Sequence, residues 1–317
     1  MTSQTLNKPA WAGDDWLSRL VNQLIQTPFL YRAMKQQARR VMIRTAERNG
    51  IPWRDRVAAL DTSDVKALAD RLTNPNVTYP DYYNVPFHAY DEGNLCWLAA
   101  FEAEPATYAM ALRVTPKENL SPDVAYDRLR TSFYDIVDKH LCYPVRDVLD
   151  VGCSIGMSTR SLHRYLRSRQ SEPANIIGLD LSPQMLAVAQ HLDSDNEIDR
   201  WVHGLAEATE FPDNSFDLVT LQFILHELPN AATEAIFKEA RRILRPGGII
   251  AIADNNPKSK VIQNLPPALF VLMKSTEPWS DEYYTFDVEA TLQKLGFEHL
   301  ETAPSDPRHR AIVARAR

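Results

Sequence analysis

No stretch of this chain restricts its fold more than Asp147-Val148-Leu149-Asp150-Val151-Gly152-Cys153-Ser154-Ile155-Gly156-Met157-Ser158-Thr159. Val148 to Val151 is a short apolar run of buried-strand type, and it breaks at once into a Gly-x-Ser-x-Gly turn. A helix-compatible segment follows through Leu162, Tyr165 and Leu166. Glycine is required where the backbone turns with positive φ or passes close to a bound group, and free N–H groups at a helix start favour polar or negative atoms. A ligand is therefore expected at this break, gripped by Gly152 and Gly156.

Two families share a strand, turn and helix of this kind. Gly152-Cys153-Ser154-Ile155-Gly156 matches the serine-hydrolase nucleophile elbow, with Ser154 as the attacking group. Leu149 to Gly156 also resembles the first motif of class I S-adenosylmethionine-dependent methyltransferases, an Asp-x-Gly-x-Gly-x-Gly loop in which Ser154 here replaces the middle glycine. The next strand separates the two. Ile176-Ile177-Gly178-Leu179-Asp180-Leu181 ends in an acid about twenty residues past the glycines, where a nucleotide-binding unit receives ribose hydroxyls. Ser182-Pro183 then opens a helix with a capping hydroxyl and a proline at its start. The whole Gly-Leu-Asp-Leu-Ser-Pro-Gln-Met-Leu run resembles the second methyltransferase motif.

That resemblance continues through residues 145 to 317. Trp201 to Glu207 resembles the third strand with its exit loop, and Phe211 to Thr220 the turn into the fourth. Leu-Arg-Pro-Gly-Gly, ending at Gly248, matches the family's stop before a fifth strand at Ile249 to Asp254. It implies an α/β fold, a Rossmann-like doubly wound sheet with a final antiparallel strand pair at Phe297 to Thr302 and Ala311 to Ala314. It implies S-adenosyl-L-methionine as cofactor, bound by Asp150, Gly152, Ser154 and Gly156 in the first loop and by Asp180 and Leu181 after the second strand. Leu205, Ala206, Glu207 and Gln222 complete the implied set, with Leu205 standing where the family usually has an acid for the adenine amino group. Loop and Asp180 are then expected on opposite sides of one adenosyl ligand.

Before this unit, residues 14 to 141 have helical periodicity. Trp16, Leu17, Leu20, Leu24 and Ile25 recur at three- and four-residue steps, and Thr27-Pro28 begins a helix that stops at Asn49-Gly50. Shorter helices are expected at Trp53 to Leu60 and Ser63 to Leu72, and two more at Trp97 to Val114 and Ser121 to Leu141. The expected division is an α-helical N-terminal extension over residues 1–120 and a methyltransferase domain over 121–317. Asn74 to Asn94, with Tyr79, Tyr82, Tyr83, Phe87, His88 and Tyr90, is long for a connection. It and the apolar segment Leu265 to Tyr284 are expected either to pack the extension onto the sheet or to cover the acceptor. Arg40, Arg44 and Arg48 form a stripe at four-residue spacing beside Met34, Val41 and Met42, compatible with peripheral contact at an anionic membrane or with a solvated face.

A formal net charge of −6 gives no basis for a nucleic-acid surface. Cys96, Cys142 and Cys153 lie far apart without Cys/His ligand spacing, so neither a metal nor a disulfide is expected. Met1 to Asp15 lacks the apolar core of a signal peptide, and no run has the ~18 apolar residues of a membrane span, which together predict a cytoplasmic protein.

Methyl transfer from an activated sulfonium chiefly requires alignment, with a base where the acceptor is a hydroxyl or an acidic carbon. His226, following the fourth strand, is the candidate base, with Glu227 to orient it or to serve instead; Asp254 ends the fifth strand on the same rim as a cap or as a group facing the acceptor. The favoured acceptor is a small lipophilic or aromatic metabolite of quinol or phenol type, because the later motifs resemble the ubiquinone and menaquinone methyltransferases. Two other functions stay open: a serine hydrolase using Ser154, Asp254 and His299 or His309, and a cofactor-binding regulator without turnover.

Overall fold

A computed structural model describes residues 16–88, 90–267, 271 and 275–317. Met1 to Asp15, and positions 268–270 and 272–274 of the apolar segment expected to cover the acceptor, lie outside the described residues.

The helical periodicity resolves into α1 (Trp16–Ile25), α2 (Pro28–Arg48), α3 (Trp53–Leu60), α4 (Ser63–Leu72), α5 (Trp97–Val114) and α6 (Pro122–Asp138). Thr62 and Ser121 cap α4 and α6 by accepting from Val65 N and Val124 N, and Gly50, at φ +83°, ends α2. β1 (Asp147–Val151), β2 (Asn175–Asp180), β3 (Arg200–His203), β4 (Phe216–Gln222), β5 (Leu244–Asn255), β6 (Phe297–Pro304) and β7 (His309–Ala316) make one sheet in the order β3-β2-β1-β4-β5-β7-β6. Neighbours from β3 to β5 run parallel, while β7 is antiparallel to β5 and β6. The central strands read as continuous apolar runs because both faces are covered. On one face Leu149, Val219 and Ile250 pack with Ile236 and Phe237 of α9 (Asn230–Ile243). On the other, Val148, Leu218 and Ala251 pack with Phe133 and Val137 of α6 and with Leu162 and Leu166 of α7 (Met157–Arg169).

The core does not stop at residue 120. Val65, Ala69, Ala100 and Phe101 of the N-terminal helices join Ile155, Met185 and Val188, the last two on α8 (Pro183–Leu192), in one buried cluster. α6 serves both sides, since its Tyr126 and Leu129 belong to that cluster. Buried Glu102 of α5 anchors the extension, accepting from Trp53 Nε1 at 2.9 Å, from Tyr90 Oη at 2.7 Å and from Arg39.

Two local readings change. Arg245 to Gly248 does not merely stop a helix but already belongs to β5, because Arg245 bridges Asp147 and Asp217 at 2.7 Å each and pulls the run against the starts of β1 and β4. After β4 the chain does not enter a helix directly. A 3₁₀ turn at Leu225–Glu227 intervenes, its Leu225 and His226 N–H groups bonded to Asp254 Oδ2 at 2.9 and 3.3 Å, and Pro229 then leads into α9.

Candidate active site

The strand order reverses at β1, with β2 on one side and β4 on the other. Loops leaving the C-terminal ends of β1 and β4 diverge there and open the crevice in which parallel sheets bind ligands. The loop after β1 has three residues in left-handed backbone: Gly152 at φ +68°, Ser154 at +50° and Gly156 at +73°. Ser154 thus adopts the conformation for which the family motif has glycine. Gly152 N and Cys153 N donate to Leu179 O at 2.8 and 3.0 Å, which ties the loop to β2. The two glycines are demanded by protein rather than by a ligand: a Cβ on Gly152 would lie 2.3 Å from Ile224 Cδ1, and one on Gly156 2.3 Å from the Trp201 ring.

Asp180 and this loop do not stand on opposite sides of a gap. They meet, with Ser154 N donating to Asp180 Oδ2 at 2.7 Å and Ser182 N donating to Oδ1 at 2.8 Å, because the adjacent strands β1 and β2 end on one rim. Each carboxylate oxygen keeps a lone pair for a hydroxyl. Burial pushes the Asp180 carboxyl up to about 6, Glu227 adding and the backbone donors opposing.

Asp150 and Gln222 lie beneath the loop. Asp150, fully buried, accepts from Ser158 Oγ and Thr159 Oγ1 at 2.7 Å each and from Thr220 Oγ1 at 2.6 Å, and Gln222 Nε2 lies 3.4 Å from its Oδ1. Their side chains position the loop instead of reaching a ligand, since their polar atoms are already taken by protein. Gln222 Oε1 in turn accepts from Arg130 Nη1 at 2.9 Å.

Arg130 escaped the sequence reading. Its guanidinium lies 5.2 Å from the Tyr126 ring centre and 5.3 Å from that of Phe223, and it is buried with Nε unpartnered, as is the Tyr126 hydroxyl. A cation on the apolar face of α6, in register with Tyr126, Phe133, Tyr134 and Val137, was the available signal. A buried guanidinium with an unpartnered Nε suits a carboxylate, and Asp180 suits vicinal hydroxyls. These are the two polar ends of S-adenosylmethionine, so the residues present fit it.

The aromatic segment 74–94 lies over the ends of β2 and β3. His203 accepts from Asn74 N at Nδ1 (2.9 Å), and its Nε2 lies 3.1 Å from Leu181 O and 3.2 Å from Tyr79 Oη. Glu207 accepts from Tyr82 Oη, while Leu205 bridges Ala208 and brackets Ala206 in the same turn. Burial pushes the half-buried Tyr83 hydroxyl well above its usual range, and the charges of Asp180 and Glu227 add to this.

On the β4 and β5 side, His226 Nδ1 donates to Asp254 Oδ1 at 2.7 Å. Burial alone would lower the imidazole, but Asp254 outweighs it, with Glu277 and Glu227 adding, and His226 is pushed up to about 10. Glu227 is pushed up to about 7, by burial and by Glu277 and Asp254 against the opposing His226. Asn94 Nδ2 donates to Glu227 Oε2 at 3.3 Å, and His88 Nε2 lies 3.6 Å from Glu227 Oε1 and 4.0 Å from Glu277 Oε1. His88 and Glu277 were read only as parts of those two segments, since their meeting is something that only the fold supplies.

No hydrolase triad forms. Ser154 Oγ faces Met185 Sδ at 3.4 Å, Asp254 serves His226, His309 pairs with Asp306 at 2.7 Å, and half-buried His299 lies 2.8 Å from Thr302 Oγ1.

The methyltransferase-domain family matches residues 149–252. An uncharacterized methyltransferase of Synechocystis sp. is 32% identical over 155 residues, covering 49% of this chain and 68% of that protein. The 2-methyl-6-phytyl-1,4-hydroquinone methyltransferase of the same organism is 35% identical over 116 residues, 36% of this chain and 34% of that one. A demethylmenaquinone methyltransferase of Bacillus licheniformis is 37% identical over 112 residues, 35% of this chain and 45% of the relative. The chain therefore spans less than half the length of these last two relatives. Among solved structures, a SAM dependent methyltransferase from Aquifex aeolicus aligns with 59% of this chain and 93% of its own at 17% identity and a TM-score of 0.45. The chain belongs to the class I S-adenosylmethionine-dependent methyltransferases, and S-adenosylmethionine is its cofactor.

Proposed function

We propose that this enzyme methylates a small lipophilic quinol or phenol held between the sheet rim and the two covering segments. The observation that carries this reading is the cluster of His226, Asp254 and Glu227 at the ends of β4 and β5, beneath residues from 74–94 and 275–285. Relatives that are named for quinol and demethylmenaquinone methylation support it.

When bound, the cofactor supplies a methyl group already activated on a sulfonium. Asp180 would hold its ribose hydroxyls and Arg130 its carboxylate, with the loop from Gly152 to Gly156 beside them. The acceptor hydroxyl gives its proton to Glu227, whose position near neutrality suits a base at working pH. His226 holds its proton at neutral pH because of Asp254, so it acts not as the base but as a positive donor that stabilises the forming oxyanion. The aromatic segment excludes water.

The helices α1 and α2 lie at a lipid surface from which such an acceptor is drawn. Trp16, Leu20 and Phe29 are exposed there, and so are Arg32, Arg40, Arg44 and Arg48.

Incubation with labelled cofactor and a lipid extract, followed by mass detection, is expected to give a methylated apolar product. Turnover of that product at the wild-type rate by both His226→Gln and Glu227→Gln would remove the assigned roles, and a product found only among polar metabolites would remove the acceptor class.

A further inference from the structure

We infer that His88, His226 and Glu277 form a binding site for one divalent transition-metal ion of the Zn²⁺ or Fe²⁺ type. One ligand atom from each lies within 4.8 Å of the others, although the three come from the 74–94 segment, the β4 exit and the segment before α11 (Ser280–Thr285). Ligand atoms around tetrahedral zinc lie roughly 3.3 Å apart, given Zn–N bonds of about 2.0–2.1 Å. A contraction on the order of 1 Å would close the set, and two of its members sit on covering segments. Two imidazoles and one carboxylate match the ligand preference of zinc and of non-haem iron, with positions left open for a further oxygen.

The surroundings favour an ion. Asp254, almost fully buried, accepts from His226 Nδ1 at 2.7 Å, which fixes the ring with Nε2 as its ligand atom, and the ion takes the place of the Nε2 proton that the metal-free imidazolium carries, the carboxylate–histidine arrangement that commonly backs a metal. His88 is held at φ +48° by donation of its N–H to Thr276 O at 2.9 Å, so the His88 and Glu277 segments are already joined beside the site. Three carboxylates, Asp254, Glu227 and Glu277, converge on two imidazoles, and among the described residues no Lys or Arg forms an ion pair with any of them. A dication balances that excess and clips both covers to the rim. Glu227, whose Oε1 is 3.6 Å from His88 Nε2, stands beside the open position.

Use of the ion toward an acceptor oxygen rests on the proposed function; its binding does not. The test is a calorimetric titration of the chelator-stripped full chain with ZnCl₂, repeated with Co²⁺ to read its visible absorption. One ion per chain is expected, with the Co²⁺ bands of a nitrogen- and oxygen-ligated site, and with affinity lowered about tenfold or more in His88→Ala and in Glu277→Gln. His88→Gln serves where the alanine variant does not fold. Absence of one-to-one binding, or unchanged affinity in the variants, would overturn the site. S-adenosylhomocysteine is titrated into the same stripped sample, so a failed metal titration beside normal nucleoside binding overturns this inference alone.

Discussion

At the scale of single residues, the cofactor end turns on Asp180 and Arg130. Asp180→Ala removes the ribose acceptor and leaves Ser154 N without its partner, so calorimetry should show cofactor affinity weaker by about 1–3 kcal/mol. Its pH dependence has a definite sign. The folded value of about 6 lies above the ordinary carboxylate, so this group's contribution to stability is present below the ordinary value of 3.8 and fades as pH rises through 6. Only the ionised form accepts from two hydroxyls, so affinity should instead rise through pH 6, and the alanine variant should lose that inflection. Arg130→Met should weaken S-adenosylmethionine by about 1.5–3 kcal/mol while leaving 5′-methylthioadenosine, which lacks the carboxylate, nearly unchanged. Equal losses for the two ligands would move the carboxylate elsewhere. Asp180 was legible because one strand end and one capped helix fix it locally, whereas Arg130 was hidden in a helix whose neighbours the fold alone supplies.

Among the elements, the loop after β1 is set by what packs on it. Ile224 beside Gly152 is the end of a flexible side chain, while Gly156 backs onto the Trp201 ring of β3, which also leaves no room for a side chain at Gly178, where a Cβ would lie 2.6 Å from it. Both alanine variants must hold a left-handed residue, at about 1–2 kcal/mol. Gly156→Ala must also displace the ring, for about 1–3 kcal/mol more, so thermal denaturation should place it clearly below Gly152→Ala. Equal melting temperatures would mean that Trp201 does not constrain the loop. The strands were legible from apolar runs and glycine breaks, because a sheet buried on both faces writes its pattern locally, while the doubly wound arrangement came from the family resemblance. The 3₁₀ turn after β4 was not, since Asp254 creates it from the next strand by accepting two N–H groups and the His226 ring. That same contact favours the protonated His226, on which the proposed base role of Glu227 rests.

For the whole molecule, the question is how the proposed lipophilic acceptor would reach a rim that segments 74–94 and 275–285 adjoin. The extension bears on both: Tyr31 of α2 donates to Ser275 O at 2.6 Å, and Lys35 pairs with Asp91 at 2.7 Å. α1 and α2 also expose the apolar side chains most at odds with water, Trp16 at 73% and Phe29 at 79%. Arg40, Arg44 and Arg48 are exposed on the same helix as Phe29 and join no ion pair among the described residues. Apolar tips with nearby unpaired cations are the requirement for interfacial binding, and the two terms are separable because salt screens only the second. Sedimentation with vesicles containing about one third anionic lipid should therefore show binding that weakens with salt but does not vanish. Replacing Trp16 and Phe29 by Ser should reduce the salt-resistant part, and Arg40→Gln with Arg44→Gln the salt-sensitive part. Methylation of an acceptor dissolved in vesicles should fall in step with either loss, while methylation of a short-chain, water-soluble acceptor should not, because the rim chemistry at His226 and Glu227 is untouched. Equal losses for both acceptors would place the extension in the catalytic assembly itself, and vesicle binding unaffected by either pair of substitutions would remove the lipid surface from this account.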